Sequence, residues 1–406
     1  MIRLRQRLLC LLILLFPARD GFTGQNKSGS LPGVVGGEVI AGSSAPAGVT
    51  VAGGIIHHKK LSDNVGTYSF ALDKNNLAHI FYYSGDEFKY AKWTGTAWST
   101  QTTDSTDGPA PNAPSSIALD GNGYPHAAYC NETQFALKYA NWTGVAWSTT
   151  TVERNEGSYT LATGFYPSMG LDKNNNPHIT YLDEQTSRLR YAKWTGKAWS
   201  ISTVNSDQNI NGPMALDDKG YPHISYCVYE RKAIGYAMWT GVSWSSSTME
   251  LDGNVTGIVS LAIGKNGYPQ IFYYEATTDP VIKLANWGGG GGTFYKLKHA
   301  KWNGKMWKIE DVPLNGPLSP HCSVTLDKND YPHIAYVDRE ANILTYTKWT
   351  GKAWKNSVIG PALARGAVSL ALDGKGDPHI VYYSGAGELM YTELKSGQPK
   401  TAEGTK

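Results

Sequence analysis

Residues 171–181 read LDKNNNPHITY, and the chain keeps returning to this phrase. Copies begin at Leu72, Leu119, Leu171, Leu216, Ile263, Leu326 and Leu372, mostly 45 to 52 residues apart. A period of about 40–50 residues, with several short strands in each unit, predicts a propeller with one copy per blade.

Copy three shows the strands. PSMGLD makes strand A, KNNNP an Asn- and Pro-rich turn, and HITYL strand B. Alternation puts Ile179 and Tyr181 on one face, His178 and Thr180 on the other. LRYAKW makes strand C and KAWSISTV strand D, with Thr195 and Gly196 between them. No segment has helical spacing. The expectation is an all-β, seven-bladed β-propeller of four-stranded antiparallel blades.

The C–D hairpin recurs as WTGTAW, WTGVAW, WTGKAW, WTGVSW, WNGKMW and WTGKAW. Read as a two-residue turn, it sets Trp194 opposite Lys197 and Ala192 opposite Trp199, the small Ala leaving room for the indole. The indoles are expected to fill gaps between neighbouring blades, with stacking on sugars as the alternative. Blade seven ends in LMYTELKSG with no such hairpin, so its strand D is missing. An open blade would expose a sheet edge. The segment GVTVAGGIIHH, ahead of blade one, has the composition to pair with the strand of Tyr391 and close the ring.

The start, MIRLRQRLLCLLILLFPARDG, has Arg3, Arg5 and Arg7 before an apolar run from Leu8 to Phe16. That is the pattern of a secretory signal, too short to span a bilayer. The expected organisation is a signal peptide over 1–24, a Gly/Ser/Pro-rich linker over 25–48, the propeller over 49–394 and a polar tail over 395–406. The product would be secreted, periplasmic or on the cell surface. A net charge of +3 with 17% charged residues lacks the concentrated basic face of a nucleic-acid binder. Beyond the signal no segment is apolar enough to span a membrane, and a monomer is expected. Cys130, Cys227 and Cys322 are expected to be free thiols, because their repeat positions keep them apart.

Six copies pair an Asp with a His six residues later: Asp73 with His79, Asp120 with His126, Asp172 with His178, Asp217 with His223, Asp327 with His333, and Asp373 with His379. Copy five, IGKNGYPQIFY, has Gly264 and Gln270 instead. Joint loss marks the pair as one unit, a clip on the A–B turn, since either partner alone would be a stranded polar group. The loop resembles the start of a calcium site, but Lys219 and Lys375 occupy its third position and no distant Glu follows. No metal or cofactor is expected. Six equivalent copies also do not describe one catalytic centre, so no catalytic residue is assigned.

In an up-and-down blade the A–B and C–D turns share one face of the disc, and the variable B–C loops lie on the other. Those loops read SGDEF, NETQF, DEQTSR, VYERK, EATTDP, DREAN and SGAGE, each with an acid. Variable loops on a rigid ring commonly carry binding. In blade five Ala300 follows Tyr273 by 27 residues, where blade three needs 11 from Tyr181 to Ala192. The extra VIKLANWGGGGGTFYKLKHA looks like a duplicated strand C with a five-glycine tip. The candidate ligand residues are therefore Trp287, Phe294, Tyr295, Glu275, Asp279, Glu230, Arg231 and Arg339.

The combined pattern, LD-x-x-G-x-P-H-I-x-Y followed by L-x-Y-A-x-W-x-G-x-x-W, resembles repeats of secreted bacterial propeller proteins, loosely akin to sialidase-like and fucose-lectin-like propellers. The resemblance covers about residues 67–394 and implies the fold. The sialidase Asp-box and its arginine triad are not matched, so no catalytic residue carries over. The expected function is an exported, non-catalytic binding protein for glycans on the variable-loop face. The alternatives are a protein-interaction or envelope scaffold bound to an extracellular protein, and a glycoside hydrolase or lyase using Glu275 and Asp279.

Overall fold

In the computed structural model the described residues are 50–51, 56–62, 65–106, 114–155, 162–205, 209–210, 212–228, 233–249, 251, 254–277, 294–314, 318–363 and 366–395. The expected signal, linker and tail lie outside them, apart from Lys395. The described strands form seven sheets and no helix. Each sheet is one blade, its strands in chain order except where two N-terminal strands join blades six and seven. In blade three they are strand A (Thr163–Leu171), B (Pro177–Asp183), C (Arg188–Trp194) and D (Trp199–Thr203). The chain is a seven-bladed β-propeller.

The ring closes through the N-terminal segment. Ile56–Ser62 pairs antiparallel with Leu389–Leu394, Lys59 opposite Tyr391, and supplies the missing strand D of blade seven. Two departures from a uniform blade accompany this. Thr50–Val51 pairs in parallel with the outer strand of blade six, Thr50 opposite Ser357, and makes that sheet five-stranded. In blade four the innermost strand is split into Asn209–Ile210 and Met214–Leu216 around Pro213, which has no N–H to give to a ladder.

Core formation explains the burial pattern. Every apolar cluster joins two neighbouring blades: Leu137 with Ile179, Leu189 with Ile224, Phe272 with Ile334, and Ile80 with Val381 across the closure. Strand B lies mid-blade with a neighbour on each side, so both its faces are covered and all seven residues of Pro177–Asp183 are buried. Strands A line the axis and are tied to each other by a serine three residues before the repeat's Leu or Ile. Met169 N–H donates to Ser116 Oγ, Met214 N–H to Ser168 Oγ, and Leu370 N–H to Ser323 Oγ, at 3.0–3.1 Å. In blade four this place is held by Pro213.

The Trp hairpin differs from the two-residue turn. Trp194 pairs directly with Trp199, and Ala192 with Ile201, around the four-residue turn 195–198. Thr195 explains the longer turn. Its backbone N–H donates to Ala198 C=O at 3.0 Å, its hydroxyl donates to the same carbonyl at 2.8 Å, and that hydroxyl accepts Ala198 N–H at 3.2 Å. Gly196, at φ +87°, takes the left-handed corner. The paired indoles meet edge-on at 5.5 Å. The second Trp packs against a tyrosine of the preceding blade: Trp147 on Tyr90, Trp199 on Tyr139, Trp244 on Tyr191, Trp307 on Tyr236, and Trp98 on Tyr391. The indoles do fill the gaps between blades.

Candidate functional site

The A–B turn is built on its Asp. In blade three Asp172 Oδ1 accepts the N–H groups of Asn174 and Asn176 at 2.8 and 2.9 Å. Asp120, Asp217, Asp327 and Asp373 each do the same for the residues two and four further on. The other oxygen points to the histidine. The Oδ2–Nε2 separations are 3.3 Å for Asp73–His79, 3.5 Å for Asp172–His178, 3.6 Å for Asp327–His333, 3.7 Å for Asp217–His223, 3.9 Å for Asp120–His126 and 4.0 Å for Asp373–His379.

The unit has a third member, the Tyr of strand C. Its hydroxyl lies 2.5–2.6 Å from Nδ1 of the histidine in all six blades: Tyr90, Tyr139, Tyr191, Tyr236, Tyr346 and Tyr391. Burial raises the pKa of these phenols, so they keep their protons and donate. The neutral ring accepts at Nδ1 and turns Nε2–H to the carboxylate. Burial pushes His79, His178 and His333 down to about 4, against a pull upward from the Asp. Asp172 is half-buried, which raises it, but the amides of Asn176 and Asn174 and the contact with His178 outweigh that and lower it.

Blade five changes all three residues together. Gly264, Gln270 and His299 stand where the others have Asp, His and Tyr, and His299 Nε2 lies 2.9 Å from Gln270 Oε1. With the Asp cap lost, Asn266 Oδ1 accepts Tyr268 N–H at 3.0 Å within the turn, and Asp330 of blade six accepts Lys265 N–H at 3.1 Å.

That bridge belongs to a pattern. The third residue after the Asp has positive φ in every A–B turn. Where it has a polar side chain, it reaches back to the preceding blade's turn. Asn76 donates to Asp373 at 3.5 Å, Asn175 accepts Gly121 N–H at 3.5 Å, and Asp330 binds Lys265 as above. Blades two, four, five and seven have glycine there instead: Gly123, Gly220, Gly267 and Gly376. Of these four unbridged junctions, the one before blade seven has a Tyr four residues after the Asp, Tyr331, together with a Lys opposite the histidine, Lys348. Each of the other three lacks one of the two, with Leu77 and Lys92, Asn176 and Lys193, and Tyr221 and Met238 at those places. Beside Gly376 there is open space where a Cβ would lie. The turns of blades six and seven part there around a cleft of about 430 Å³. Its walls include Asp327, Asn329, Tyr331, Lys348 and Trp349 on one side and Asp373 and Lys375 on the other.

No protein-family model matches the chain, and no curated protein matches it. Its likeness is to solved folds. It is similar to an ulvan lyase at 13% identity and TM-score 0.58, covering 82% of this chain and 94% of that one. It is similar to the hydrazine synthase of Kuenenia stuttgartiensis at 8% and 0.57, covering 84% and 99%. A lectin of Aleuria aurantia is at 15% and 0.47, covering 73% and 96%. At these identities the likeness is one of fold.

The expected ligand residues are scattered. Trp287, Asp279, Glu230 and Arg231 lie outside the described residues. Phe294 opens strand C of blade five, opposite Thr277. Tyr295 is half-buried, its ring 5.8 Å from Tyr274. Glu275 is paired with Lys298 at 3.1 Å. Arg339 is half-buried at the B–C turn of blade six, where the neighbouring acid, Asp338, caps the amides of Glu340 and Ala341. On the same loop face, burial and the charge of Glu184 push Glu132 up to about 7. Sequence spacing carried no sign of that residue. Cys130, Cys227 and Cys322 are free. Among the described residues no three His, Cys, Asp or Glu are placed to share a metal ion, and no helix is long and apolar enough to cross a membrane.

Proposed function

We propose that the chain is an exported, non-catalytic carbohydrate-binding propeller whose saccharide sits in the cleft between blades six and seven. The observation that carries this reading is the cleft's composition. Tyr331 and Trp349 offer aromatic surface beside the hydrogen-bonding groups of Asn329, Asp327, Lys348 and Thr350. Concave sites with aromatic walls and a few polar groups are how proteins hold small ligands. The cleft lies among the A–B and C–D turns, the face opposite the variable loops on which the sequence placed the ligand. The Arg-led apolar start of the chain supports export. The acids of the loop face are largely occupied: Asp183 and Asp338 cap their own turns, and Glu275 is ion-paired.

Calorimetric titration of oligosaccharides into the full chain and into Gly376→Asn tests it. Asn at that position adopts the same backbone in blades one and three and would reach the Lys328 amide, closing the cleft. Saccharide binding by the parent, weakened at least ~10-fold in Gly376→Asn at unchanged fold, is the expected result. Absence of binding by any saccharide, or binding indifferent to Gly376→Asn, overturns the reading.

A further inference from the structure

Three lysines, Lys328, Lys348 and Lys375, line the same cleft. We infer that the saccharide it takes is acidic, carrying a carboxylate or sulfate that these ammonium groups bind; the inference rests on the carbohydrate reading above.

The charge balance of the cleft carries the argument. Its carboxylates are Asp327 and Asp373. Each gives Oδ1 to two turn amides, and Asp327 turns Oδ2 to His333 at 3.6 Å. These acids are spent on the turns that hold them. None of the three lysines makes an ion pair among the described residues. Blade one shows the contrast: Lys92 holds the place of Lys348, opposite the blade's histidine, and lies 3.4 Å from Asp73 Oδ2. Asp330, the remaining acid of the blade-six turn, is committed to Lys265 on the side facing blade five. The bridge that would come from blade seven is absent at Gly376. The cleft is thus open and carries unpaired positive charge from both walls.

An anion held between two lysines of one wall and one of the other gains from each ammonium, and the partly enclosed setting strengthens the interaction over bulk water. The aromatic surface of Trp349 and Tyr331 beside that charge matches a sugar ring bearing an acidic substituent. A neutral ring would leave three ammonium groups facing only the two carboxylates that cap the turns, Asp327 and Asp373.

The test titrates three oligosaccharides of equal length into the full chain: an oligogalacturonate, a sulfated oligogalactan and a neutral oligogalactan. The same set is run with the double variant Lys328→Gln/Lys375→Gln and with Gly376→Asn. Both substituted lysines project from a turn whose amides are bound through the backbone, so the double variant keeps the Asp caps. At least one acidic oligomer is expected to bind ~10-fold or more tightly than the neutral one. That preference shrinks ~10-fold in the lysine variant and declines with added salt. The two acidic arms separate carboxylate from sulfate. Neutral binding that equals acidic binding, or acidic binding untouched in the lysine variant, overturns the inference. If neutral binding is lost in Gly376→Asn while the lysine variant changes nothing, the carbohydrate reading survives alone. If no oligomer binds, both fall.

Discussion

The hydroxyl of Tyr191 lies 2.6 Å from Nδ1 of His178, and the same ring meets the indole of Trp244 in the next blade at 5.2 Å. One side chain thus joins the polar clip of its own blade to the apolar seam of its neighbour. The chain of contacts runs from Asp172, which fixes the turn, through His178 and Tyr191 to Trp244. Repeated round the disc, it couples turn geometry to blade packing. This explains why blade five replaces Asp, His and Tyr together: a buried ring nitrogen without its phenol, or a phenol without its acceptor, is a cost no single substitution avoids.

Tyr191→Phe keeps the contact with Trp244 and removes only the hydroxyl. It leaves Nδ1 of His178 buried without a donor, for a loss of about 1–3 kcal/mol. Denaturant unfolding should show this loss. The triple change D172G/H178Q/Y191H, which installs the blade-five set, should cost less than the sum of its three single changes. Additive losses would mean that the three residues do not act as a unit.

Acid should weaken the fold in a definite window. Burial lowers His79, His178, His299 and His333 to about 4, from an ordinary value of 6.5. Between these values the unfolded chain binds protons that the folded chain refuses. Stability is therefore complete above about pH 6.5 and falls as the pH drops toward 4, by up to ~1.4 kcal/mol per pH unit for each histidine. Asp73, Asp172 and Asp327, lowered from 3.8, add their losses only at still lower pH. Melting temperature against pH should fall steeply from 6.5 to 4. A flat profile there would mean that the imidazoles are already charged in the fold.

Much of the architecture was legible because each blade repeats the same local chemistry. Asp caps, Pro at the start of strand B and the Trp hairpins recur at one spacing, and repetition reveals the period. Register was less legible. The WTGKAW hairpin reads as a two-residue turn from its Thr-Gly, but the Thr195 hydroxyl closes four residues, a side-chain effect that turn statistics do not carry. The tyrosine of the clip was visible in every L-x-Y-A-x-W, and His299 in blade five marked its covariation. Its partner across the sheet becomes evident only when strands B and C are laid side by side. The serines before the repeat's Leu or Ile, in every blade but the fourth, were likewise in plain view, but their bonds cross between blades. The cleft was not legible. It depends on which residue follows the Asp at the third place, and on that residue reaching a different copy of the repeat.

Removing 56–62 should prevent closure. That segment supplies the outer strand of blade seven, and Lys59 pairs with Glu393 at 3.2 Å. Without it the edge of Leu389–Leu394 is left open, a template for pairing with another chain. Size-exclusion chromatography of a chain beginning at residue 63 should show aggregates or multimers. A stable monomer with unchanged melting would show that the ring does not depend on this strand.

The side chain that closes a cleft should also control how many are available. Asn175 bridges blades two and three through the Gly121 amide, whereas the same place in blade seven stays open because no side chain extends from Gly376. Asn175→Gly keeps the positive φ of that turn at no steric cost and removes the bridge. The walls it would part hold Trp142 and Tyr124 on one side and Lys173 and Asn174 on the other, but Asn141, not a lysine, stands opposite His126 where the blade-six wall has Lys348 opposite His333. If the cleft binds saccharide as proposed, titration of the double variant Asn141→Lys/Asn175→Gly should show a second site, doubling the stoichiometry of the parent. Adding Gly376→Asn should return the stoichiometry to that of the parent, with the ligand moved to the junction of blades two and three. Unchanged stoichiometry in Asn141→Lys/Asn175→Gly would mean that the bridge is not what keeps a ligand out.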